Sequence, residues 1–175
     1  MTGNPGAPRR RAVLLALGGA FLVAPHALAA AGETPTADAI LVLKSRRRLY
    51  VLSKGNVLKR YCIGLGRQPE GAKLQLGDQR TPEGFYTIDG RNAQSKYHRA
   101  LHISYPNEED AIAARRAGVD PGDGIEIHGF PDDFKTADAK GCSADWTDGC
   151  IAVPNEAIDE IWDMVGDGTL VEIRK

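Results

Sequence analysis

Short apolar runs of strand length, separated by turns rich in glycine, proline and asparagine, recur through the chain after residue 38. β-branched and aromatic residues fit a pleated sheet, and turn formers interrupt it, so this pattern is typical of a mainly β domain. The turn formers at 53–56 separate two of these runs and predict a hairpin. The predicted strands cover 39–43, 49–52, 57–64, 85–89, 99–105, 124–128, 150–153 and 169–173.

Two stretches have the features of short helices. Asn107 is a good N-cap, acidic residues follow it, and arginines precede Gly118, an order that suits the helix dipole. Asn155 is predicted to cap the second helix, which should end at Gly166. Its apolar positions recur at i, i+3, i+4 and i+7, namely Ile158, Ile161, Trp162 and Val165. Many short strands and two short helices predict a sandwich-like domain.

The N-terminal segment resembles a secretory signal peptide. Arginines at 9–11 precede an apolar run at 12–23, and a small-x-small site follows at 27–29. We expect a signal peptide over residues 1–31, although an uncleaved anchor is the alternative. The apolar run is shorter than the roughly 20 residues that span a membrane. The twin arginines also suit twin-arginine export. Residues 32–175 are long enough for one domain.

Charge and cysteine content exclude several classes of protein. The formal net charge is -1 and no basic face is evident, so we expect no nucleic-acid partner. Cys62, Cys142 and Cys150 permit one disulfide and one free thiol, or three free thiols. Three cysteines are too few for a disulfide-built scaffold, so the core must provide the stability.

His128 and Cys150 are candidates for nucleophilic chemistry. His128 ends a predicted strand before Gly129, and Cys150 follows Gly149 at the start of another. A thiol is a good nucleophile once ionised, but its ordinary pKa is about 8.5. A nearby imidazole that takes this proton becomes an imidazolium, which would lower the pKa of the thiol. The alternatives are a buried structural thiol and a strand-end histidine.

Four motifs in series strengthen this interpretation. They are Gly77-Asp78-x-Arg80-Thr81-Pro82-Glu83-Gly84-x-Tyr86, Ile103-Ser104-Tyr105-Pro106-Asn107, Ile127-His128-Gly129 and Thr147-Asp148-Gly149-Cys150. With them, residues 32–175 resemble the YkuD-type L,D-transpeptidase catalytic domain family (ErfK/YbiS/YcfS/YnhG-like). Asp148 stands where the common family pattern has a histidine, so the chain is similar to the YafK-like Asp-Gly-Cys branch.

The resemblance implies a β-sandwich of mixed sheets with two short α-helices, without a metal or cofactor. It implies a monomer, exported to the periplasm or cell envelope of a bacterium, with no stable membrane span after signal cleavage. Its partners would be peptidoglycan stem peptides, and its role cell-wall cross-linking or remodelling. The Asp-Gly-Cys branch is also associated with an amidase. Hydrolysis by an amidase or L,D-carboxypeptidase is therefore the alternative, and non-catalytic peptidoglycan binding is a second.

The predicted catalytic residues follow from the same motifs. Cys150 is the expected nucleophile and His128 the general base and acid. The Gly149 backbone is expected in an oxyanion hole. Asp148 either contributes its backbone there, orients another group, or merely favours the turn.

Three further residues are predicted to contact substrate. His102, Trp146 and Thr147 lie near the motifs in sequence or on predicted cleft strands. Trp146 could instead pack beneath the cleft. His102 lies four residues after His98, and the two could ligate a metal together with a cysteine, although we expect no metal site.

Overall fold

The computed structural model describes residues 1–3, 36–131, 133–134 and 144–175. The predicted signal peptide, apart from its first three residues, and Cys142 lie outside these ranges. Within them, no helix combines the length and apolar character needed to cross a membrane.

The domain is mostly β, which confirms the predicted fold class. A short 3-10 helix, Lys44–Arg46, joins the first two strands. The helices are α1, Glu108–Ala117, and α2, Asn155–Met164. The strands in the described ranges are β1 Ala39–Leu43, β2 Arg48–Ser53, β3 Asn56–Cys62, β4 Gly84–Ser95, β5 His98–Ile103, β6 Glu126–His128, β7 Ile151–Ala152 and β8 Leu170–Arg174.

One mixed eight-stranded sheet contains these strands, in the order β3-β2-β1-β8-β4-β5-β6-β7. The β1–β8 and β6–β7 pairs are parallel, whereas the other pairs are antiparallel. The long strand β4 joins the two halves, because Gly84–Thr87 pairs with β8 and Ile88–Ser95 pairs with β5. The sequence prediction ended this strand at residue 89. Residues 91–94 are exposed and, apart from the small Ala93, polar, so their pairing left no hydrophobic signal.

The two ends of this strand order meet. Gly64, just after β3, exchanges two backbone hydrogen bonds of 2.9 Å with Ala152 of β7. Gly66 forms a further bridge to Thr147. A Cβ atom at Gly66 would lie 2.1 Å from the Gln79 carbonyl oxygen, so only glycine fits this approach. The segment before Cys150 is therefore held by both halves of the sheet.

A single buried cluster receives side chains from both halves of the sheet and from α2. Ile40 in β1, Leu101 in β5, Ile127 in β6 and Ile158 in α2 are all fully buried members. Each such side chain stabilises the fold by about 1.5–3 kcal/mol. Because both halves share one core, the sheet encloses its apolar face, as the sandwich-like prediction requires.

Helix α1 matches its prediction, but the start of α2 does not. Asn107 and Asp110 form a capping box at α1, and Gly118 ends it in the left-handed conformation. Asn155 was predicted to cap α2, but it is the first helical residue. Its side-chain oxygen accepts a 2.6 Å hydrogen bond from the Phe130 backbone amide. Asn155 therefore binds the loop that follows His128 rather than its own helix.

The bend at residues 77–84 is built around two buried lysines. Lys44 donates to the carbonyl of Thr81 and to the Glu83 carboxylate, at 2.8 and 2.9 Å. Lys73 donates to Asp78 at 2.9 Å, and three backbone amides also donate to that carboxylate. The bend is therefore fixed by charge-assisted hydrogen bonds, and it lies against Gly149, as described below.

Candidate active site

Two neighbouring strands bring His128 and Cys150 together. β6 and β7 run parallel, with Ile127 paired to Ile151 in the buried core. Cys150 immediately precedes Ile151, so the register places it beside Glu126. Alternate residues of a strand share a face, so Glu126 and His128 both lie on the face opposite to Ile127.

The turn that carries Cys150 is internally braced. The Thr147 hydroxyl donates to the Cys150 carbonyl at 2.7 Å and accepts from the Gly149 amide at 3.2 Å. Gly149 has a φ of 137°, and a Cβ atom there would lie 2.8 Å from the Arg80 carbonyl oxygen. Only glycine satisfies both demands. The Gly149 amide, predicted to bind an oxyanion, is thus already engaged within the turn.

The Cys150 thiol is half-buried and in its neutral form. Its sulfur lies 3.6 Å from the Gly124 carbonyl oxygen. Burial raises the pKa of Cys150 to about 11. The backbone amide of Glu126 opposes this by donating to the sulfur, whereas the carboxylates of Glu126 and Asp148 reinforce it. The sequence-based expectation of a lowered thiol pKa was therefore wrong, because motif spacing carries no information about desolvation.

His128 is buried and positioned as a neutral base. Its Nδ1 donates to the Gly129 carbonyl at 2.6 Å, which leaves Nε2 as the acceptor. Burial lowers the pKa of His128, an effect that the nearby charge of Lys96 reinforces and the Gly129 hydrogen bond opposes. The Tyr97 ring stacks on the imidazole, with centroids 4.3 Å apart. Packing thus fixes both the tautomer and the orientation of the ring.

His128 and Cys150 line one cavity of about 120 Å³. Its other lining residues are Arg67, Tyr97, Trp146, Thr147 and Asp148. Five of the predicted site residues therefore meet at one place, although they come from separate motifs. This arrangement offers a thiol, a neutral imidazole and a cationic side chain to a substrate.

The Asp148 side chain is paired with Arg67 and not with the imidazole. Its carboxylate is largely exposed, pairs with Arg67 and lies 3.5 Å from the Gln79 amide nitrogen. No hydrogen bond joins Asp148 to His128 within the described residues. The side chain therefore braces the turn and positions Arg67 at the cavity, whereas its backbone amide stays a predicted oxyanion donor.

Trp146 both lines the cavity and packs against other aromatic rings. It meets the His128 ring edge-on at 5.8 Å and lies 4.7 Å from the Phe134 ring. Phe130 is a third neighbour, at 6.3 Å. The substrate-contact and packing alternatives for Trp146 are therefore compatible with each other.

His102 lies on the same sheet but outside the cavity lining. Its Nδ1 is 2.5 Å from the Asp89 carboxylate, and it faces Glu126 across the β5–β6 ladder. His98 instead pairs with Asp159 of α2 at 2.9 Å. In the parts of the chain that the structure describes, no group of three histidine, cysteine or acidic side chains is arranged to hold a metal ion.

The cysteines differ in state. Cys62 is disulfide-bonded, and Cys150 carries a free thiol. The predicted nucleophile is therefore not held in a disulfide, which its chemistry requires.

A larger cavity of about 650 Å³ lies elsewhere on the domain. Lys44, Arg47, Arg80 and Glu83 are among its lining residues, and none of the predicted site residues is. Lys44 and Glu83 are paired with each other, and Arg47 is paired with Asp145. The predicted catalytic side chains His128 and Cys150 thus line the smaller cavity.

Two cavity residues were missed in the sequence analysis. Tyr97 is an isolated aromatic residue in a polar stretch, and that isolation was the available signal. Arg67 lies outside the predicted strands and helices. Its contact with Asp148 joins residues 81 positions apart in the chain, which no local pattern reveals.

Comparison with known proteins agrees with this geometry. The model of the YkuD family, the L,D-transpeptidase catalytic domain, matches residues 37–173. The chain is 34% identical over 133 residues to the "Putative L,D-transpeptidase YafK" of Escherichia coli K12. That match covers 75% of this chain and 44% of the relative, so the chain spans less than half the length of that curated protein.

Solved structures share the fold. The helical cell shape determining protein Pgp2 of Campylobacter jejuni superposes with a TM-score of 0.60 at 27% identity, over 81% of this chain and 48% of that one. Bd1075 of Bdellovibrio bacteriovorus superposes with a TM-score of 0.56 at 27% identity, over 81% of this chain and 49% of that one. An L,D-transpeptidase of Mycobacterium smegmatis superposes with a TM-score of 0.52 over 79% of this chain and 59% of that one. Because the identity is only 15%, this similarity shows the fold alone. The chain belongs to the YkuD family of L,D-transpeptidase catalytic domains.

Proposed function

We propose that this chain is a cysteine-dependent L,D-transpeptidase that acts on peptidoglycan stem peptides through a thioester on Cys150. The observation that supports it most is the meeting of Cys150 and His128 in one cavity of a domain from this family. The proposal includes residues 1–31 as a signal peptide and a monomeric catalytic domain, 32–175, in the periplasm or cell envelope.

The first half-reaction forms the thioester. The Cys150 sulfur attacks the carbonyl carbon on the L-centre of diaminopimelate in the donor stem, while its proton passes to Nε2 of His128. Since the resting thiol and imidazole are both neutral, this transfer accompanies the attack rather than preceding it. The carbon–nitrogen bond then breaks, and the imidazolium returns the proton to the departing amine of D-alanine. Such acid–base catalysis typically contributes about 10²–10⁴ in rate.

An oxyanion forms on the attacked carbonyl and needs donors. The Gly149 amide already donates to Thr147, so the Cys150 amide, with that of Asp148, is the better candidate. A preorganised donor of this kind is worth roughly 3 kcal/mol in the transition state. The glycine conformation at 149 matters here because it aims the peptide group that follows it.

The second half-reaction decides between cross-linking and hydrolysis. When the uncharged amine of a second stem attacks the thioester, its proton passes to His128, the carbon–sulfur bond breaks to give a new amide, and His128 hands that proton to the departing thiolate. Water in the same place gives a trimmed stem. Asp148 does not contact His128 in the described structure. We therefore expect the acceptor, an amine or water, to decide between cross-linking and hydrolysis.

Purified muropeptides test the proposal. The wild-type chain should release D-alanine, form a covalent adduct on Cys150 and yield stem dimers that mass spectrometry detects. The Cys150→Ala variant should give no D-alanine release, no adduct and no dimers. The His128→Gln variant should release D-alanine more slowly. Full activity in Cys150→Ala would refute the nucleophile. Trimmed monomers without dimers would identify the hydrolase alternative, and binding without any product would indicate the non-catalytic one.

A further inference from the structure

Glu126 is a carboxylate beside the nucleophile that the proposed mechanism does not use. It precedes Ile127 in β6, where the register puts it next to Cys150 and opposite His102 of β5. Its backbone amide donates to the Cys150 sulfur, and its carboxylate is close enough to disfavour the thiolate. The backbone amide of Glu126 therefore favours ionisation of the Cys150 thiol, whereas its carboxylate opposes that ionisation.

The Glu126 side chain has no direct counter-ion. It is half-buried, yet within the described residues its carboxylate makes no hydrogen bond or ion pair. The two basic side chains that act on this carboxylate have other contacts, since His102 binds Asp89 and Lys96 lies over the Tyr97 ring at 4.9 Å. Burial raises the pKa of Glu126, although the charges of His102 and Lys96 oppose this.

An unpaired carboxylate at this position is unfavourable in the free protein. Partial burial weakens its hydration, and its charge opposes ionisation of the thiol. Both effects would be relieved by a cation that donates hydrogen bonds to it. An alkylammonium group does so through a charge-assisted bond, and its positive charge would also make the Cys150 thiolate a better leaving group.

We propose that Glu126 is a specificity-determining residue that binds an alkylammonium group of a peptide reactant beside Cys150. This inference rests on the proposed function, because it concerns a reactant of the thioester chemistry. Two sources offer the same chemistry, namely the side-chain amine of the donor stem and the amine of the acceptor. The experiment below separates them.

The test compares paired reactants that differ in the ammonium group, using the full chain and its Glu126→Gln variant. An alkylammonium acceptor binds in its protonated form at about pH 8, because its ordinary pKa is about 10.4, and releases one proton to solvent before its nitrogen attacks, whereas hydroxylamine binds as an uncharged nucleophile. Donor stems are compared with a free and with an acetylated side-chain amine. Asp123→Asn is the matched control, since it removes an exposed carboxylate from the same segment.

We expect Glu126→Gln to lower kcat/KM roughly tenfold for the ammonium-bearing member of one pair, the size expected for losing a half-exposed charge-assisted hydrogen bond. For the reactant of that pair without the ammonium group, kcat/KM should change less than about twofold. The Asp123→Asn variant should likewise change kcat/KM less than about twofold for every reactant. A selective loss in D-alanine release identifies the donor as the source, and one in amide formation identifies the acceptor. Equal losses for both members, or none, would overturn the inference. Absence of D-alanine release from the wild-type chain would instead refute the proposed function, and the inference with it.

Discussion

The resting state of Cys150 leads to a prediction about its alkylation. Burial raises the pKa of this thiol from 9.0 to about 11. At 1.36 kcal/mol per pH unit, the environment disfavours the thiolate by about 2.7 kcal/mol. Near pH 8, about one molecule in a thousand then carries the thiolate, against about one in ten for an ordinary thiol of pKa 9.

Alkylation by iodoacetamide measures that fraction, because the thiolate is the attacking species. The rate at Cys150 should rise about tenfold per pH unit from about pH 6 to about pH 10, without a plateau. A small thiol peptide, the control, should level off near its own pKa. Adducts assigned by peptide mass spectrometry separate Cys150 from the other cysteines, and circular dichroism checks that the chain stays folded across the range.

The His128→Gln variant sharpens this experiment. If thiol and imidazole are both neutral at rest, the variant should alkylate within about threefold of the wild-type rate, although its turnover falls by about 10²–10⁴. A preformed imidazolium–thiolate pair would behave differently. It would give a rate that is flat between about pH 6 and pH 8 and that drops in the variant, and this result would refute the reasoning.

Three further predictions concern the turn before Cys150 and the bend at residues 77–84. Thr147→Val removes the hydroxyl that joins the Gly149 amide to the Cys150 carbonyl and should slow D-alanine release about tenfold, whereas Thr147→Ser should retain most activity. Gly149→Ala forces a side chain into a left-handed conformation against a backbone oxygen and should destabilise the fold by about 1–3 kcal/mol in urea denaturation; unchanged stability would contradict the turn geometry. Burial raises the pKa of Asp78, but hydrogen bonds from backbone amides and Lys73 outweigh it and lower that pKa overall. This carboxylate therefore stabilises the fold at pH values above its unfolded-state pKa of about 3.9. It loses that contribution as the pH falls through its lower folded-state pKa. Asp78→Asn should therefore cost about 3 kcal/mol near neutral pH, with a deficit that shrinks below about pH 4, and a deficit independent of pH would argue against this role.

Local sequence patterns predicted what depends on neighbouring residues. The strands with buried apolar positions and the α1 caps were found because burial and capping leave regular signals. The proximity of His128 and Cys150 was predicted from motifs, and the parallel register of β6 and β7 brings the two residues to one cavity. The polar end of β4 was missed because exposed residues can extend a ladder without any apolar pattern.

Features that depend on distant contacts could not be predicted. Asn155 has the composition of a cap, yet its side chain serves the Phe130 amide of another loop. Arg67 and Tyr97 line the cavity only because the fold brings residues that are distant in sequence to the same place. The direction of the Cys150 pKa depends on how many atoms surround the sulfur, which is a property of the packed domain.

The bridge between Gly64 and Ala152 also bears on solubility. An open sheet presents two edges whose free amides and carbonyls can recruit strands from other molecules, a common route to aggregation. Here β7 is only two residues long, and its outer side is already occupied by Gly64. The opposite edge strand, β3, carries Lys59 and Arg60, whose charges oppose stacking of one molecule on another. The same contact that holds the segment around Cys150 in place thus also covers the outer edge of β7.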